Sequence, residues 1–225
     1  MDESLTSYLT NLLPIQSEWV QELEAQAQKD RVPIMDPVSM QFIMQLIRLQ
    51  QPKRILELGT AIGYSALRML EAYPKATIVT LERDEQRYQQ AVRNINAQQK
   101  QEQIDIMLGD ALDIVPDVLA KGPFNMVLID AAKGQYQKFF TLYSPAVANS
   151  GVIITDNVLF KGYVSDQKKQ HPRFQKLGGK IRSYNEWLID HPDYHTSIIP
   201  IGDGVAMSIK KFRREHASSC KKDQL

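Results

Sequence analysis

The stretch "RILELGTAIGYSALRMLEAY" at residues 54–73 contains the pattern that decides the fold. Its first part, "RILELG", is an apolar run of the length of a β-strand. Its second part spaces apolar residues at helical intervals, and Gly59 and Gly63 lie between the two parts. Glycine at such a point permits a tight turn and the close approach of a ligand. The stretch therefore predicts a strand that leads through a turn into a helix.

The same alternation recurs along the chain. Apolar runs of strand length occupy residues 77–82, 104–110, 124–130 and 151–157, and helical patterns follow the first three of them. This alternation is typical of an α/β protein with a parallel sheet. Two further runs, at 194–201 and 204–212, flank a Gly-Asp-Gly turn and predict an antiparallel hairpin. The sequence thus predicts a seven-stranded, mostly parallel sheet with a C-terminal antiparallel hairpin.

Helical patterns also precede the first strand, over roughly residues 4–12, 17–30 and 37–50. They predict an N-terminal helical cap within residues 1–52. The sequence contains neither an internal repeat nor a long linker, so residues 1–225 are predicted to form one domain. The charged tail at 213–225 is predicted to be flexible.

Composition excludes several classes of protein. The 225 residues include 27 Lys and Arg against 26 Asp and Glu, so the total charge does not select a nucleic-acid partner. The single cysteine, Cys220, cannot form an internal disulfide and fits a reducing compartment. No apolar run approaches the ~20 residues of a membrane span, and the acidic N-terminus lacks the pattern of a signal peptide. A cytoplasmic protein without a membrane or DNA partner is expected.

The first turn favours one kind of cofactor. Its G-x-x-x-G spacing differs from the G-x-G-x-x-G of dinucleotide sites, and the neighbouring Glu57 would repel a pyrophosphate but suits a ligand with an amino group. Glu82 ends the second predicted strand and suits a ribose diol, while Asp110 follows the third and can accept a hydrogen bond from an adenine amino group. Together these features fit S-adenosylmethionine. The alternative is that Glu82 and Asp110 are helix N-caps.

Polar side chains follow the fourth and fifth predicted strands. Asp130 ends "MVLID", and Asp156 and Asn157 end "IITDN". Because neighbouring parallel strands lie ~4.8 Å apart, these three oxygen ligands can converge on one ion. Two carboxylates and an amide suit Mg²⁺. The alternative is that they are capping and turn residues.

Lys133 follows Asp130 after three residues, in "DAAK". Near a cation and partly desolvated, its pKa should fall, so that it could take a proton from an acceptor hydroxyl. The alternative for a lone lysine in a loop is a solvated surface residue.

These motifs together resemble a known family. The stretches "ELGTAIGYSA", "TLERD", "GDA", "LIDAAKGQY" and "TDN" look like those of class I, Rossmann-like methyltransferases of the metal-dependent catechol and caffeoyl-CoA O-methyltransferase type. The resemblance implies the class I methyltransferase fold, S-adenosylmethionine as methyl donor and a homodimer. It implies that the cofactor is contacted by Met35, Ser65, Glu82, Asp110 and Asp130. It also implies that Asp130, Asp156 and Asn157 bind the metal and that Lys133 is the catalytic lysine.

Positive charge is concentrated after Asn157. Between Leu159 and Tyr184 the chain has seven Lys and Arg and one acidic residue, Asp166. Such a segment beside an acceptor site is expected where a phosphate backbone binds, whereas the alternative is a solvated helix face. The candidate RNA-binding residues are Lys161, Lys168, Lys169, Arg173 and Lys176.

Two longer stretches, residues 33–66 and 180–211, are similar to the bacterial tRNA 5-hydroxyuridine methyltransferases. This resemblance implies that 5-hydroxyuridine at the tRNA wobble position is converted to 5-methoxyuridine and that the anticodon stem-loop is the partner. The 5-hydroxyl and 4-carbonyl of that base are neighbouring oxygens, so they can chelate Mg²⁺ as a catechol does.

The sequence therefore predicts a Mg²⁺-dependent tRNA O-methyltransferase. One alternative is an O-methyltransferase for small catechol-like phenols, which would share every catalytic residue. Another is a non-catalytic RNA-binding module that retains the cofactor pocket, although Lys133 and the three metal-ligand candidates argue against it. Asp203, within the Gly-Asp-Gly turn, is most simply a turn residue.

Overall fold

The computed structural model describes residues 3–165 and 172–212, and these residues form one seven-stranded sheet. The strands are β1 Arg54–Leu58, β2 Thr77–Glu82, β3 Ile104–Leu108, β4 Phe124–Ile129, β5 Val147–Thr155, β6 Tyr194–Ile199 and β7 Val205–Lys210. Their order across the sheet is β3-β2-β1-β4-β5-β7-β6. The first five run parallel, whereas β7 is antiparallel to both β5 and β6. The predicted fold class is confirmed.

Helices flank this sheet. They are α1 Glu3–Asn11, α2 Glu18–Asp30, α3 Pro37–Gln50, α4 Tyr64–Ala72, α5 Glu85–Ala97, α6 Val115–Leu119, α7 Tyr136–Tyr143 and α8 Pro172–Ile189. The start of α3 illustrates how local sequence sets a boundary. The Asp36 carboxylate accepts the N–H groups of Val38 and Ser39 at 3.0 and 3.1 Å, and Pro37 occupies the first turn.

Apolar side chains cover both faces of the sheet, as a parallel sheet between helices requires. Ile55, Met126 and Ile154 belong to one buried cluster with side chains of α3 and α4. Leu56 and Val127, the next residues along β1 and β4, belong to a second cluster with side chains of α7 and α8. Because successive residues of a strand point to opposite faces, these strands are held from both sides and their ends are fixed in space.

The element boundaries differ from expectation at two places. β5 begins at Val147, rather than near residue 151. The helix after β3 is confined to Val115–Leu119, with Pro116 in its first turn, rather than starting near residue 111. Proline lacks an N–H and is best tolerated in the first turn, so it fixes the start of this helix.

Helix α8 lies in the charge-rich stretch for which the sequence indicates no regular element. Its buried residues Ile181, Tyr184 and Leu188 have the three- and four-residue spacing of a helix face, so the signal was present among the charges. Lys168, Lys169 and the tail predicted over 213–225 lie outside the described residues. Within the described part of the chain, every helix is too short or too polar to cross a membrane.

Candidate active site

A cleft of about 670 Å³ opens at the carboxyl ends of the parallel strands, where open α/β sheets bind ligands. Most of the residues singled out from the sequence line it: Met35, Gly59, Ser65, Glu82, Asp110, Asp130, Lys133, Asp156, Asn157 and Arg173. Most of these residues lie at or just after the ends of β1 to β5, while Met35 precedes α3, Ser65 is on α4 and Arg173 is on α8. The fold therefore brings the predicted cofactor, metal and catalytic positions into one cavity.

The turn after β1 passes close to the end of β4. Gly59 has a φ of 108°, and a Cβ on this residue would lie 2.2 Å from the carbonyl oxygen of Asp130. Only glycine fits here, because a side chain would both strain the backbone and collide with β4. The turn after β1 and the backbone of Asp130, the first metal-ligand candidate, are therefore in direct contact.

Glu82 orients the turn after β1. Its carboxylate accepts the N–H of Ala61 at 2.8 Å and the N–H groups of Arg83 and Asp84 at 2.9 Å each. Each carboxylate oxygen can accept more than one hydrogen bond. Three of its roughly four acceptor sites are thus used, so Glu82 can hold the turn and still accept a hydrogen bond from one ribose hydroxyl.

Asp110 is not the helix N-cap of the alternative interpretation, because α6 begins at Val115 and its N-cap is Ile114. Its Oδ1 accepts the N–H of Leu112 at 2.9 Å, and its Oδ2 lies 3.5 Å from the guanidinium of Arg83. The carboxylate nevertheless lines the cleft. The bond to Leu112 closes a local turn and would use a different lone pair from a contact with an adenine amino group, so both can exist together.

Glu57 lies beneath the cleft rather than on its wall. It is fully buried and accepts hydrogen bonds from the hydroxyls of Ser65 and Thr80, the latter at 2.5 Å. Burial raises the pKa of Glu57 to about 7, while the two hydroxyls oppose this rise. Ser65 is placed between Glu57 and the cavity, so the direct contact of Glu57 with a cofactor stays a prediction.

Replacement of Glu57 by glutamine is expected to remove a pH dependence of stability in the cofactor-free protein. The pKa of Glu57 rises from 4.5 to about 7 on folding, so the folded state keeps a proton that the unfolded state has lost between these values. Glu57 alone should therefore contribute a fall of about 3 kcal/mol to the free energy of unfolding of the wild type as pH rises through this window. Urea unfolding at pH 5 and pH 8 measures this change. Glu102→Gln, at an exposed position, is the control, and equal pH slopes for Glu57→Gln and the wild type would contradict the expectation.

Asp156 and Asn157 follow β5 beside Asp130 at the end of β4. Asp156 is only 1% exposed, and its Oδ2 accepts a hydrogen bond from the Asn157 amide at 2.8 Å. Its Oδ1 is buried and has no hydrogen-bond partner. Tyr136 fixes the backbone here, since its hydroxyl donates to the Asp156 carbonyl at 2.9 Å. An unpaired buried carboxylate oxygen is costly, so this position fits a ligand atom for a cation.

The charges around this oxygen also fit a cation. Burial, followed by repulsion from Asp130, raises the pKa of Asp156 to about 7. Burial likewise raises the pKa of Asp130, and the charge of Lys133 opposes that rise. Among the described residues no three Asp, Glu, His or Cys side chains form a metal cluster, so the set here is two carboxylates and the Asn157 amide. This oxygen-only set is suited to Mg²⁺.

Lys133 lies in a short 3₁₀ turn, Lys133–Gln135, that follows β4. Its ammonium group donates to the Oδ1 of Asn157. Burial lowers the pKa of Lys133, while the charges of Asp130, Asp156 and Asp203 oppose the lowering. A lysine with a lowered pKa at the end of a cleft is suited to proton transfer.

A family model described as O-methyltransferase matches residues 11–211 of the chain. The chain belongs to the O-methyltransferase family. The family resemblance inferred from the motifs is thereby confirmed, while the predicted role of each site residue stays a prediction.

Relatives of this O-methyltransferase extend over nearly the whole chain. A catechol O-methyltransferase from Niastella koreensis is 31% identical over 219 residues, which cover 93% of this chain and 97% of the relative. A solved structure from Staphylococcus aureus, provisionally assigned as a caffeoyl-CoA O-methyltransferase, is 38% identical with a TM-score of 0.87 and covers 93% of this chain and 100% of its own. An O-methyltransferase from Bacillus cereus, solved in complex with S-adenosylhomocysteine (SAH), is 25% identical with a TM-score of 0.80 and covers 92% of this chain and 97% of its own.

Several residues of the O-methyltransferase cleft were not singled out from the sequence. Phe160 and Phe174 line it beside the metal-ligand candidates, and Phe174 is 43% exposed. Arg83 and Arg87 line it beside Asp110. Arg83 lies within "TLERD" but was given no role, and no motif marks Arg87, Phe160 or Phe174. An exposed aromatic next to a basic run is an available signal.

Three of the five candidate RNA-binding residues lie within the described part of the O-methyltransferase. Arg173 lines the cleft, and Lys161 and Lys176 are exposed. Lys168 and Lys169 fall within 166–171, outside the described residues.

Proposed function

We propose that this protein transfers the methyl group of S-adenosylmethionine to a hydroxyl of an acceptor that carries a second oxygen beside it. The proposal is carried by the convergence of Asp130, Lys133, Asp156 and Asn157 in the cleft that the cofactor residues line. The fold alone does not select a reaction. A buried pair of acids, an amide oxygen and a lysine with a lowered pKa are the groups that metal-assisted O-methylation requires.

The donor would occupy the half of the cleft formed by β1, β2 and β3. Glu82 would accept a hydrogen bond from the ribose, and Asp110 would accept one from the adenine amino group. Ser65, held by Glu57, would face the amino-acid portion, and Met35 is a buried apolar wall beside it. The Bacillus cereus relative bound to SAH supports this choice of donor.

Asp130, Asp156 and Asn157 would hold a divalent cation, for which we propose Mg²⁺. Bound there, the ion would supply positive charge that stabilises the deprotonated acceptor and orients its two oxygens. Lys133 would accept the hydroxyl proton at Nζ, for which burial favours the neutral amine. The acceptor oxygen then bonds to the methyl carbon while the carbon–sulfur bond breaks, and SAH leaves.

Small catechol-like phenols are the first candidate acceptors. They carry two neighbouring oxygens on a flat ring. The relatives support them, because the Niastella koreensis protein is a catechol O-methyltransferase and that from Vitis vinifera is a flavonoid 3',5'-methyltransferase. Phe160 and Phe174 offer aromatic faces to such a ring at the acceptor end of the cleft.

A tRNA whose wobble base is 5-hydroxyuridine is the second candidate acceptor. It is favoured by charge: Arg83, Arg87 and Arg173 line the cleft, and Lys161 and Lys176 lie exposed near it. A catechol needs none of these cations, whereas an anticodon loop would bring several phosphates to them. The relatives named above are not described as acting on tRNA, so this acceptor rests on the charge and on the sequence resemblance.

Methyl transfer from labelled S-adenosylmethionine tests both candidates. The acceptors are a simple catechol and total tRNA from cells that lack this protein, each with Mg²⁺ and with excess chelator. Metal-dependent label on either acceptor supports the proposed reaction and identifies the acceptor class. Full activity in chelator, or no transfer to either acceptor, would refute it.

Salt is expected to separate the two acceptors further. If Lys161, Arg173 and Lys176 each contact a phosphate, tRNA affinity should fall roughly 20-fold between about 50 and 200 mM salt. Catechol methylation should change little over this range, because a neutral phenol displaces no condensed counterions. Filter binding measures the tRNA affinity, and initial rates measure catechol methylation. A tRNA affinity that does not change with salt would contradict the role of these cations.

A further inference from the structure

The turn between β6 and β7, residues 201–204, contacts the loop at residues 157–163 that follows β5. The carbonyl of Gly204 accepts the N–H of Val158 at 2.9 Å, and the carbonyl of Asp203 accepts the N–H of Leu159 at 2.8 Å. The Asp203 carboxylate then accepts the N–H of Lys161. These three hydrogen bonds thus join residues that are more than 40 positions apart in the chain.

The two segments approach each other too closely for a side chain at one position. Gly204 has a φ of 88°, and a Cβ there would lie 2.3 Å from the Cγ of Leu159. The contact is therefore a packed interface and not a single peripheral hydrogen bond.

The 157–163 loop needs an external hold. Asn157, Phe160 and Lys161 have φ values of 59°, 45° and 51°, in the left-handed region that non-glycine residues rarely adopt. For a bulky side chain such as that of Phe160 this conformation is costly, and it persists only where surrounding contacts fix it. The 201–204 turn supplies such contacts through its hydrogen bonds to Val158, Leu159 and Lys161.

The same loop carries two groups of the cleft, the Asn157 amide and the Phe160 ring. We propose that Asp203 is a positioning residue, which fixes the 157–163 loop so that Asn157 and Phe160 stay at the acceptor end of the cleft. This inference rests on the proposed function for its effect on catalysis. It differs from the simple interpretation of Asp203 as a turn residue.

The local turn does not require the Asp203 carboxylate. The 201–204 turn is closed by its own backbone bond, from the Gly204 N–H to the Ile201 carbonyl at 2.8 Å. An aspartate that only stabilises a turn bonds to backbone two residues away. The Asp203 carboxylate instead bonds to Lys161, 42 residues earlier in the chain.

Two variants separate the hydrogen bond from the charge. Asp203→Asn keeps an oxygen that can accept the Lys161 N–H, whereas Asp203→Ala removes it. In Asp203→Ala, amide hydrogen exchange at Lys161 should become about tenfold faster, as expected for loss of one net hydrogen bond. Asp203→Asn should stay within about twofold of the wild type. Asp190→Ala, which removes an exposed acid just after α8, is the control.

Mn²⁺ affinity reports whether the loop positions Asn157. Loss of a group that orients a metal ligand typically lowers metal affinity by a factor of about 10 or more. Asp203→Ala should therefore bind Mn²⁺ about tenfold more weakly, while Asp203→Asn retains most of the affinity. Because the Asp203 carboxylate bonds to Lys161 and not to the residues at the ends of β1, β2 and β3, SAH affinity should be the same in all variants, which also shows that they fold.

The proposal would be overturned if amide hydrogen exchange at Lys161 were as slow in Asp203→Ala as in the wild type. It would also be overturned if exchange in Asp203→Ala were faster but Mn²⁺ bound as tightly as in the wild type. Equal losses in the Ala and Asn variants would also overturn it, because the Asn side chain retains the acceptor oxygen. A wild-type protein that bound no Mn²⁺ would instead refute the metal part of the proposed function. The exchange rates would still report whether Asp203 holds the loop, so the two failures are distinguishable.

Discussion

Lys133→Met is expected to lower methyl-transfer turnover about 10³-fold while the affinity for SAH stays within about twofold of the wild type. Methionine has nearly the length of lysine and fits a partly buried position, but it cannot accept a proton. The donor residues Glu82 and Asp110 do not depend on Lys133, so donor binding should be unaffected. Single-turnover rates with saturating acceptor and calorimetric titration of SAH measure the two quantities.

Two further substitutions at lysines make this test specific. Lys133→Arg keeps the positive charge, but an arginine does not give up its proton at any ordinary pH. It should therefore be nearly as inactive as Lys133→Met. Lys138→Met, at an exposed position on α7, should have wild-type turnover. A Lys133→Arg variant with near wild-type turnover would show that Lys133 supplies charge and does not take a proton.

Asp156→Ala is expected to weaken divalent-cation binding more than about 100-fold, beyond the loss typical of a group that only orients a ligand. The reason is the buried Oδ1 of Asp156, which has no protein partner. Mn²⁺ titration followed by electron paramagnetic resonance measures the affinity. SAH affinity is the control for folding, and Asp117→Ala on α6 is the control for loss of an exposed acid.

Replacement of Asp156 should weaken metal binding but stabilise the metal-free protein. Because burial and Asp130 raise the pKa of Asp156 to about 7, ionised Asp156 destabilises the empty site above that pH. The isosteric Asp156→Asn should therefore have a higher Tm than the wild type at pH 8 in chelator, and a smaller rise in Tm with Mg²⁺. If Asp156→Asn bound Mn²⁺ as tightly as the wild type, Asp156 would not be a metal ligand.

The sheet could be predicted from the sequence because its strands are continuous apolar runs that end in marked residues. Gly59, Glu82, Asp110, Asp130 and Asp156 each stand at or next to the carboxyl end of a strand, and the topology of parallel sheets places such ends together. For this reason a list of residues scattered over about 100 positions predicted one cleft. Local periodicity and strand order were sufficient for that inference.

Other features of the site depend on contacts that no local pattern reveals. Whether Glu57 faces the ligand or lies behind Ser65 is decided by the register of β1 against β2, which places Thr80 opposite Glu57. Asp203 reads as a turn residue because its partner, Lys161, is distant in sequence. Helix α8 was hidden because lysines and arginines are interspersed among the apolar residues of its inner face. In each case the missing information is a long-range contact.

The position of β7 between β5 and β6 has a consequence for how the protein is made. A ribosome synthesises Asp130, Asp156 and Asn157 well before it reaches residues 203–210. Until β7 is made, β5 is an exposed sheet edge and the 157–163 loop lacks its contacts with the 201–204 turn. At that stage the ends of β1, β2 and β3 can already be in place, although Gly202 has not yet packed against Asp36 and Ser39, next to Met35. A nascent or truncated chain that ends after α8 would therefore have part of the proposed donor site but not the turn that holds the acceptor end, and the complete cleft would form only with the last strand.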